Sequence, residues 1–287
     1  MDGKILITGA TGKVGMHLVQ NLHAKGHNIR ALTRNVEKAE NLRKKGVETV
    51  LGDFVDIDSL KSALNGVERV FLLSPASLNQ VDQQGNVVNV AITRGIKHIV
   101  KLSTLGTSAH SPVKIAQFHA ATEKQIRASG IAYTFLHPHT FMQNQLAAAP
   151  SVKAQGKIYA ALGDAKVSMV DARDIANVAA HVLTEEKHYG KTYQLTGSEA
   201  LSMYDVAETI GHALHKEVTY QPVSFEEVHQ AMLNAKYPKW LADDMTELNK
   251  LFAKGEGCSI SNDIEIVTQQ KPKTFKKFIK DFIEIFR

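Results

Sequence analysis

Three glycines, Gly9, Gly12 and Gly15, sit in the stretch ILITGATGKVGMHLV between an apolar run and a helix-like pattern. That spacing suits a loop that turns tightly, brings backbone N–H groups close to a diphosphate and packs the next helix onto the strand before it. The helix N-terminus adds partial positive charge and free donors for an anion. Thr11, Lys13 and Val14 fill the loop and are counted with the glycines as cofactor-facing positions. Roughly 20 residues further on, NAD-using proteins place an acid against the ribose 2′-hydroxyl. This chain has Arg34 there, with Lys38 one helical turn later. A guanidinium can clamp a 2′-phosphate in bidentate fashion, which favours NADP(H) over NAD(H); the plain alternative is a solvated surface Arg and Lys. Asp53 and Phe54 close the third apolar run, where the carboxylate would accept from an adenine amino group or cap the helix starting near Asp56.

Those residues need a scaffold, and the first half of the chain supplies a regular one. Apolar runs of strand length (ILIT, IRALTR, VETVLGD, VERVFLLSP, HIVKLST, AYTFLHP) alternate with helical patterns at 14–24, 36–45, 57–64, 83–94 and 117–128. Strict alternation predicts parallel strands joined by crossover helices and buried on both faces, an α/β doubly wound sheet of Rossmann type. Ligands of open α/β sheets bind outside the carboxyl ends of the strands. Leu73, Ser74 and Pro75 therefore belong near the nicotinamide ribose, and Ser103 and Thr104 end the fifth strand close by, unless they only satisfy loop backbone groups.

After Pro138 the rhythm changes. The sequence predicts a short helix at 141–148, strands at KIYAAL and VSMV, a helix at 172–183, the strand TYQLTG, and helices at 203–214, 225–233, 239–253 and 274–285. We expect an NADP-binding domain over 1–150, its sheet completed by a strand near 192–196, and a smaller, mainly C-terminal substrate lobe over 151–287. Asp171 or Asp174 is expected to cap the helix that follows. Phe275, Phe278, Phe282 and Phe286 recur at helical spacing and read as a packing surface, with a homodimer contact as the alternative use.

ITGATGKVG, LTRN, LGDF, KLST and HAATEKQIRASGIAYTFLHPHTFMQNQL together resemble the NmrA-like, atypical short-chain dehydrogenase/reductases. The likeness is greatest to type 2 NAD(P)H:quinone oxidoreductases and triphenylmethane dye reductases, and it extends to KTYQLTG and the closing KPKTFKKFIKDF. Extended relatives carry Tyr-x-x-x-Lys followed four residues later by Glu. Placing Glu123 on that glutamate puts His119 at the lysine and Ile115 at the tyrosine. Without the phenol, proton movement on or off an alcohol loses its donor, whereas hydride transfer to an electron-poor quinone or cationic dye does not need one.

The resemblance implies that His119 holds the nicotinamide ribose and relays a proton; the bland alternative is one helix histidine among 13. His119 and Glu123 are one helical turn apart, so they share a face and could hydrogen-bond. Pro138 leads into the family segment at the nicotinamide and substrate opening. There Phe141 and Met142 would wall a flat ring, or else be core residues, and Asn144 would donate to a carbonyl oxygen. The resemblance thus implies an NAD(P)H-dependent reductase of small aromatic or quinone-like compounds; the alternative is a non-enzymatic NADP(H)-sensing regulator that binds a partner protein.

Composition narrows the partners. The net charge of +5 permits a phosphate-bearing ligand, but Lys and Arg are scattered and no aromatic residues interleave a basic stripe, so no nucleic-acid partner is expected. The one cysteine, Cys258, allows no internal disulfide and no zinc spacing, which suits a reducing, cytoplasmic setting. His137 and His139 flank Pro138 with no carboxylate nearby in sequence, so no metal is expected. The first apolar run is too short for a membrane span, and no membrane partner is expected.

Overall fold

The computed structural model describes residues 3–287. Seven parallel strands form the central sheet in the order β3-β2-β1-β4-β5-β6-β8. They are β1 (Lys4–Ile7), β2 (Ile29–Thr33), β3 (Glu48–Leu51), β4 (Val67–Leu72), β5 (His98–Leu102), β6 (Ala132–Pro138) and β8 (Lys191–Leu195). The crossovers run through α1 (Gly15–Ala24), α2 (Val36–Arg43), α3 (Ile57–Ala63), α4 (Gln80–Thr93), α5 (Lys114–Ala128) and α7 (Ala172–Thr184). Chain order reverses between β1 and β4, so the loops after these strands part and leave a crevice at their carboxyl ends.

The two faces of the sheet carry separate apolar cores. Ile5, Ile7, Phe71 and Val100 pack against α1 and α7, while Leu6, Val70, Ile99 and Phe135 pack against α3, α4 and α5. Side chains that alternate between faces, yet are apolar on both, are what a doubly covered strand requires. Among the described residues no helix is long and apolar enough to cross a membrane.

The second half builds a third core around α6 (Ala149–Gln155), α8 (Met203–Leu214) and a two-stranded parallel sheet of β7 (Lys157–Ala160) and β9 (Thr219–Pro222). Helix α12 (Phe275–Phe282) completes it, while α11 (Asp263–Thr268) packs on α7 and β8, and α9 (Phe225–Asn234) pairs with α10 (Lys239–Leu251). VSMV is not a strand. Val167 and Val170 each make one isolated bridge, and Ser168 spends its N–H on Gly257 and its hydroxyl on Ser259, so no ladder forms. Phe275, Phe278 and Phe286 are buried in the chain's own third core and Phe282 packs partly buried against it, which is the packing surface the spacing predicts.

Candidate functional site

The crevice is a cleft of about 710 Å³, and the glycine loop forms its floor. Gly9 has φ +61, and a Cβ there would meet Leu73 at 2.9 Å; one on Gly15 would lie 2.1 Å from the Gly9 carbonyl oxygen. Both positions need glycine, the first for conformation and the second for close packing. Gly9, Thr11, Gly12, Lys13 and Val14 line the cleft, whereas Gly15 lies beneath it as the first residue of α1. Thr8, fully buried, ties this loop to the end of β4: its Oγ1 donates to the carbonyls of Phe71 and Leu73 and accepts from the Leu73 N–H. The two walls of the switch point are thereby held in register.

One end of the cleft is cationic. Arg34 and Lys38 both line it, with Asn35 between them capping α2 through the Lys38 N–H. Asp53 and Phe54 face them from the end of β3, and Asp53 Oδ2 accepts from Arg34 Nη1 at 3.3 Å. Asp53 is not the helix cap: Asp56 caps α3, accepting from the N–H groups of Asp58 and Ser59.

The opposite end is bounded by Leu73, Ser74 and Pro75, joined by Gln83, Leu102 and Phe141. Ser74 is held by Gln84, whose Nε2 donates to its Oγ at 2.8 Å. Phe141 is a wall of the cleft, but Met142 is 1 % exposed and belongs to the third core. The reason is a turn of 3-10 helix at Met142–Ala148 that points consecutive side chains in different directions. Asn144 engages the glycine loop: its Oδ1 accepts from Lys13 Nζ at 3.0 Å, and its Nδ2 donates to Thr140 Oγ1 at 3.2 Å. Ser103, Thr104, His119, Pro138 and Asn144 do not line the cleft itself.

Behind Leu102 lies a buried polar network that the sequence reading only half anticipated. Glu123 does not bond His119. Its Oε1 accepts from Ser103 Oγ at 2.5 Å and from His137 Nε2 at 2.8 Å, so His137 does have a carboxylate partner. Burial acts to raise the Glu123 pKa, but the hydrogen bonds from His137 and Ser103 outweigh it and hold the carboxyl below its ordinary value. His119 turns instead to Lys101, whose Nζ lies 2.8 Å from Nδ1. Lys101 is fully buried, and burial pulls its pKa down to about 7 against the opposing pull of Glu123. Burial, then the charges of Lys101 and His137, push the His119 pKa well below its ordinary value.

Lys101 was legible as a signal: a cation at the centre of HIVKLST, in a strand otherwise buried on both faces, needs a partner. Asp171 caps α7 as expected, accepting from the Arg173 N–H, and it also holds Gln143 at 2.9 Å. Asp174 is not a cap; it sits in the first turn and accepts from the Lys273 backbone and side chain. Among the described residues no group of three or more His, Cys, Asp or Glu side chains is placed to hold a metal.

The profile of the NmrA-like family matches residues 1–282. The chain is 36% identical over 276 residues to the NAD(P)H azoreductase of Xenophilus azovorans, an alignment covering 96% of each chain. The NADPH-dependent quinone oxidoreductase of Escherichia coli complexed with NADPH superposes with a TM-score of 0.88 at 32% identity, over 97% of this chain and 99% of that one. The Citrobacter sp. triphenylmethane reductase complexed with NADP(H) gives 0.86 at 32% identity, again over 97% and 99%.

Proposed function

The chain belongs to the NmrA-like family, and from that premise we propose that it is an NAD(P)H-dependent oxidoreductase that passes hydride to a quinone or another electron-poor aromatic acceptor. The carrying observation is one continuous cleft, with a glycine cradle at its floor, two cations at one end and an apolar wall at the other, the cradle tied to Asn144 outside it through Lys13. A Cβ would intrude on the loop at Gly9 and Gly15, which fits a backbone shaped for a diphosphate. Reduced nicotinamide supplies the hydride.

The protein's part is placement. Gly9 through Val14 would hold the diphosphate, Arg34 and Lys38 a 2′-phosphate, and Asp53 and Phe54 the adenine side, so NADP(H) is preferred over NAD(H). Leu73, Ser74 and Pro75 would border the nicotinamide ribose, with His119 at the lysine position of extended relatives, supported from the strand ends by Ser103, Thr104 and Pro138. Phe141 offers a flat apolar face for an aromatic acceptor, and Asn144 a polar group beside it. An acceptor that is already electron-poor needs alignment and water exclusion more than a strong acid, consistent with Ile115 at the tyrosine position. In this reading residues 1–150 with β8 form the nucleotide-binding part and 151–287 most of the substrate lobe, and the single cysteine suits the cytoplasm.

The test is loss of reduced-nicotinamide absorbance when the purified protein is mixed with NADPH and a panel of benzoquinones, naphthoquinones, azo dyes and triphenylmethane dyes. Turnover of at least one class is expected. Tight NADPH binding without turnover on any of them would overturn the enzyme reading in favour of a nucleotide sensor.

A further inference from the structure

The most costly polar group in the sheet is Lys101. It is among the largest fully buried side chains and lies in β5, where all five residues are buried. Its Nζ makes two contacts, the Leu102 carbonyl at 3.2 Å and His119 Nδ1 at 2.8 Å. From α4, Gln80, itself 1 % exposed, brings Nε2 to 3.5 Å from the same Nδ1. Two donor groups on two elements therefore face one ring nitrogen. A nitrogen so placed is suited to accept, which would leave the single proton of a neutral imidazole on the other nitrogen, Nε2. No residue among those described hydrogen-bonds Nε2. The ionisable groups around the pair are Glu123 from α5 and His137 from β6, and these bond each other rather than His119.

We propose that Lys101 is a positioning residue for His119: by donating into Nδ1 it fixes the imidazole as the Nε2–H tautomer, so a neutral hydrogen-bond donor stands where extended relatives have a lysine. This rests on the reading of His119 as a cofactor- or acceptor-facing group. A neutral donor can hold a ribose hydroxyl or an acceptor oxygen without adding a second positive charge beside a nicotinamide ring that is cationic once oxidised.

Two variants and two readouts test this. Lys101→Met keeps the length and removes the donor; Lys101→Gln keeps a neutral donor. In ¹⁵N–¹H correlation spectra of the substrate-free protein, with the His119 ring assigned through His119→Gln, the wild type should show Nε2 protonated and Nδ1 bare. Lys101→Met should show both tautomers in exchange. A wild-type ring protonated on Nδ1 overturns the proposal, and this readout stands whether or not any acceptor is turned over. In steady-state assays with a quinone, Lys101→Met should lower kcat about tenfold with little change in the KM for NADPH, and Lys101→Gln should restore most of it. Equal losses in the two variants would make Lys101 a packing residue only. Removing a buried amine should raise the Tm of Lys101→Met, so its lost turnover would not come from unfolding.

Discussion

The Arg34 guanidinium and the Asp53 carboxylate face each other at 3.3 Å across the cationic end of the cleft, Arg34 with 68% of its side chain exposed. An ion pair this open is worth about 0–1 kcal/mol, so it costs little to displace. The carboxylate keeps the guanidinium over the cleft, and a phosphate with greater charge and bidentate geometry would take its place. Arg34→Glu is expected to weaken NADPH binding about 10- to 100-fold, in line with the loss of a charge-assisted pair, and to leave NADH within a few-fold. Titration of both nucleotides measures the ratio. An unchanged NADPH-to-NADH ratio would show that the 2′-phosphate lies elsewhere.

Asp53→Asn probes the other partner. Without the carboxylate, Arg34 loses its competitor for the phosphate, so NADPH should bind a few-fold more tightly. If instead binding weakens for NADPH and NADH alike, Asp53 contributes chiefly to the adenine, which both nucleotides share.

Lys13 and Asn144 join the glycine loop to the segment after β6, 3.0 Å apart. In the proposed reading the contact would couple nucleotide and acceptor ends, and Thr140 anchors the amide from behind. Asn144→Ala should raise the KM of a quinone several-fold while the affinity for NADPH in the absence of acceptor stays within a factor of about two, as expected for a group worth about 1 kcal/mol of ligand orientation. A drop in NADPH affinity equal to the rise in quinone KM would place Asn144 on the nucleotide instead.

The glycine loop, the parallel alternation and the cationic pair were legible because each is a local signature: residue type and spacing along one stretch of chain decide the geometry. What was not legible depended on side chains meeting across layers. Glu123 and His137 are on a helix and a strand, so the i,i+4 rule that linked Glu123 to His119 considered only one helix and chose the wrong partner. Phe141 and Met142 are adjacent, and apolar character alone could not say which faces the cleft and which the core. VSMV has strand composition, but strand identity needs a neighbour with free backbone groups, and the loops at Gly257 and Ser259 took those of Ser168 first. The pairing of β7 with β9 escaped for the converse reason, a strand of four residues ending in proline that carries almost no periodic signal.

Gly15 does not line the cleft, yet it is the most constrained glycine of the loop. A Cβ there would sit 2.1 Å from the Gly9 carbonyl oxygen and 2.9 Å from the Ala10 Cα, both backbone atoms that cannot swing aside. Gly15→Ala must therefore move the loop off α1. The expected result is loss of nucleotide affinity by at least tenfold together with a lowered Tm, since overpacking of this kind costs about 1–3 kcal/mol. Gly12→Ala, whose Cβ would lie 3.2 Å from the same oxygen, should be the milder change. Equal affinities for wild type and Gly15→Ala would disprove the rigid-loop account.

Two buried histidines make stability depend on pH in a direction that can be worked out. Burial first, then the charges of Arg69 and His188, push the His98 pKa down to about 3, and burial takes that of His139 to about 4. Each is tied up as a neutral ring. Thr134 Oγ1 donates to the His188 carbonyl and so accepts from His98 Nε2, while His139 Nδ1 accepts from the Thr140 N–H. Unfolded, both rings titrate near the ordinary value of 6.5. Below that pH and above the folded values, each of these two rings binds more proton in the unfolded chain than in the folded one, so their contribution to stability is present above pH 6.5 and is lost as the pH falls. The cost is up to about 1.4 kcal/mol per pH unit for each ring, or about 2 kcal/mol each between pH 6.5 and 5. Asp174, whose carboxyl is raised by burial despite Lys273, works the other way over the range just above its ordinary 3.8 and offsets part of the loss at the acid end. Urea unfolding at pH 7 and pH 5 should show this drop in the wild type. In His98→Gln, an amide can still donate to Thr134 without titrating, so the difference between the two pH values should shrink by about 2 kcal/mol. If the variant loses as much as the wild type, His98 keeps a proton in the folded state and the burial argument fails for that ring.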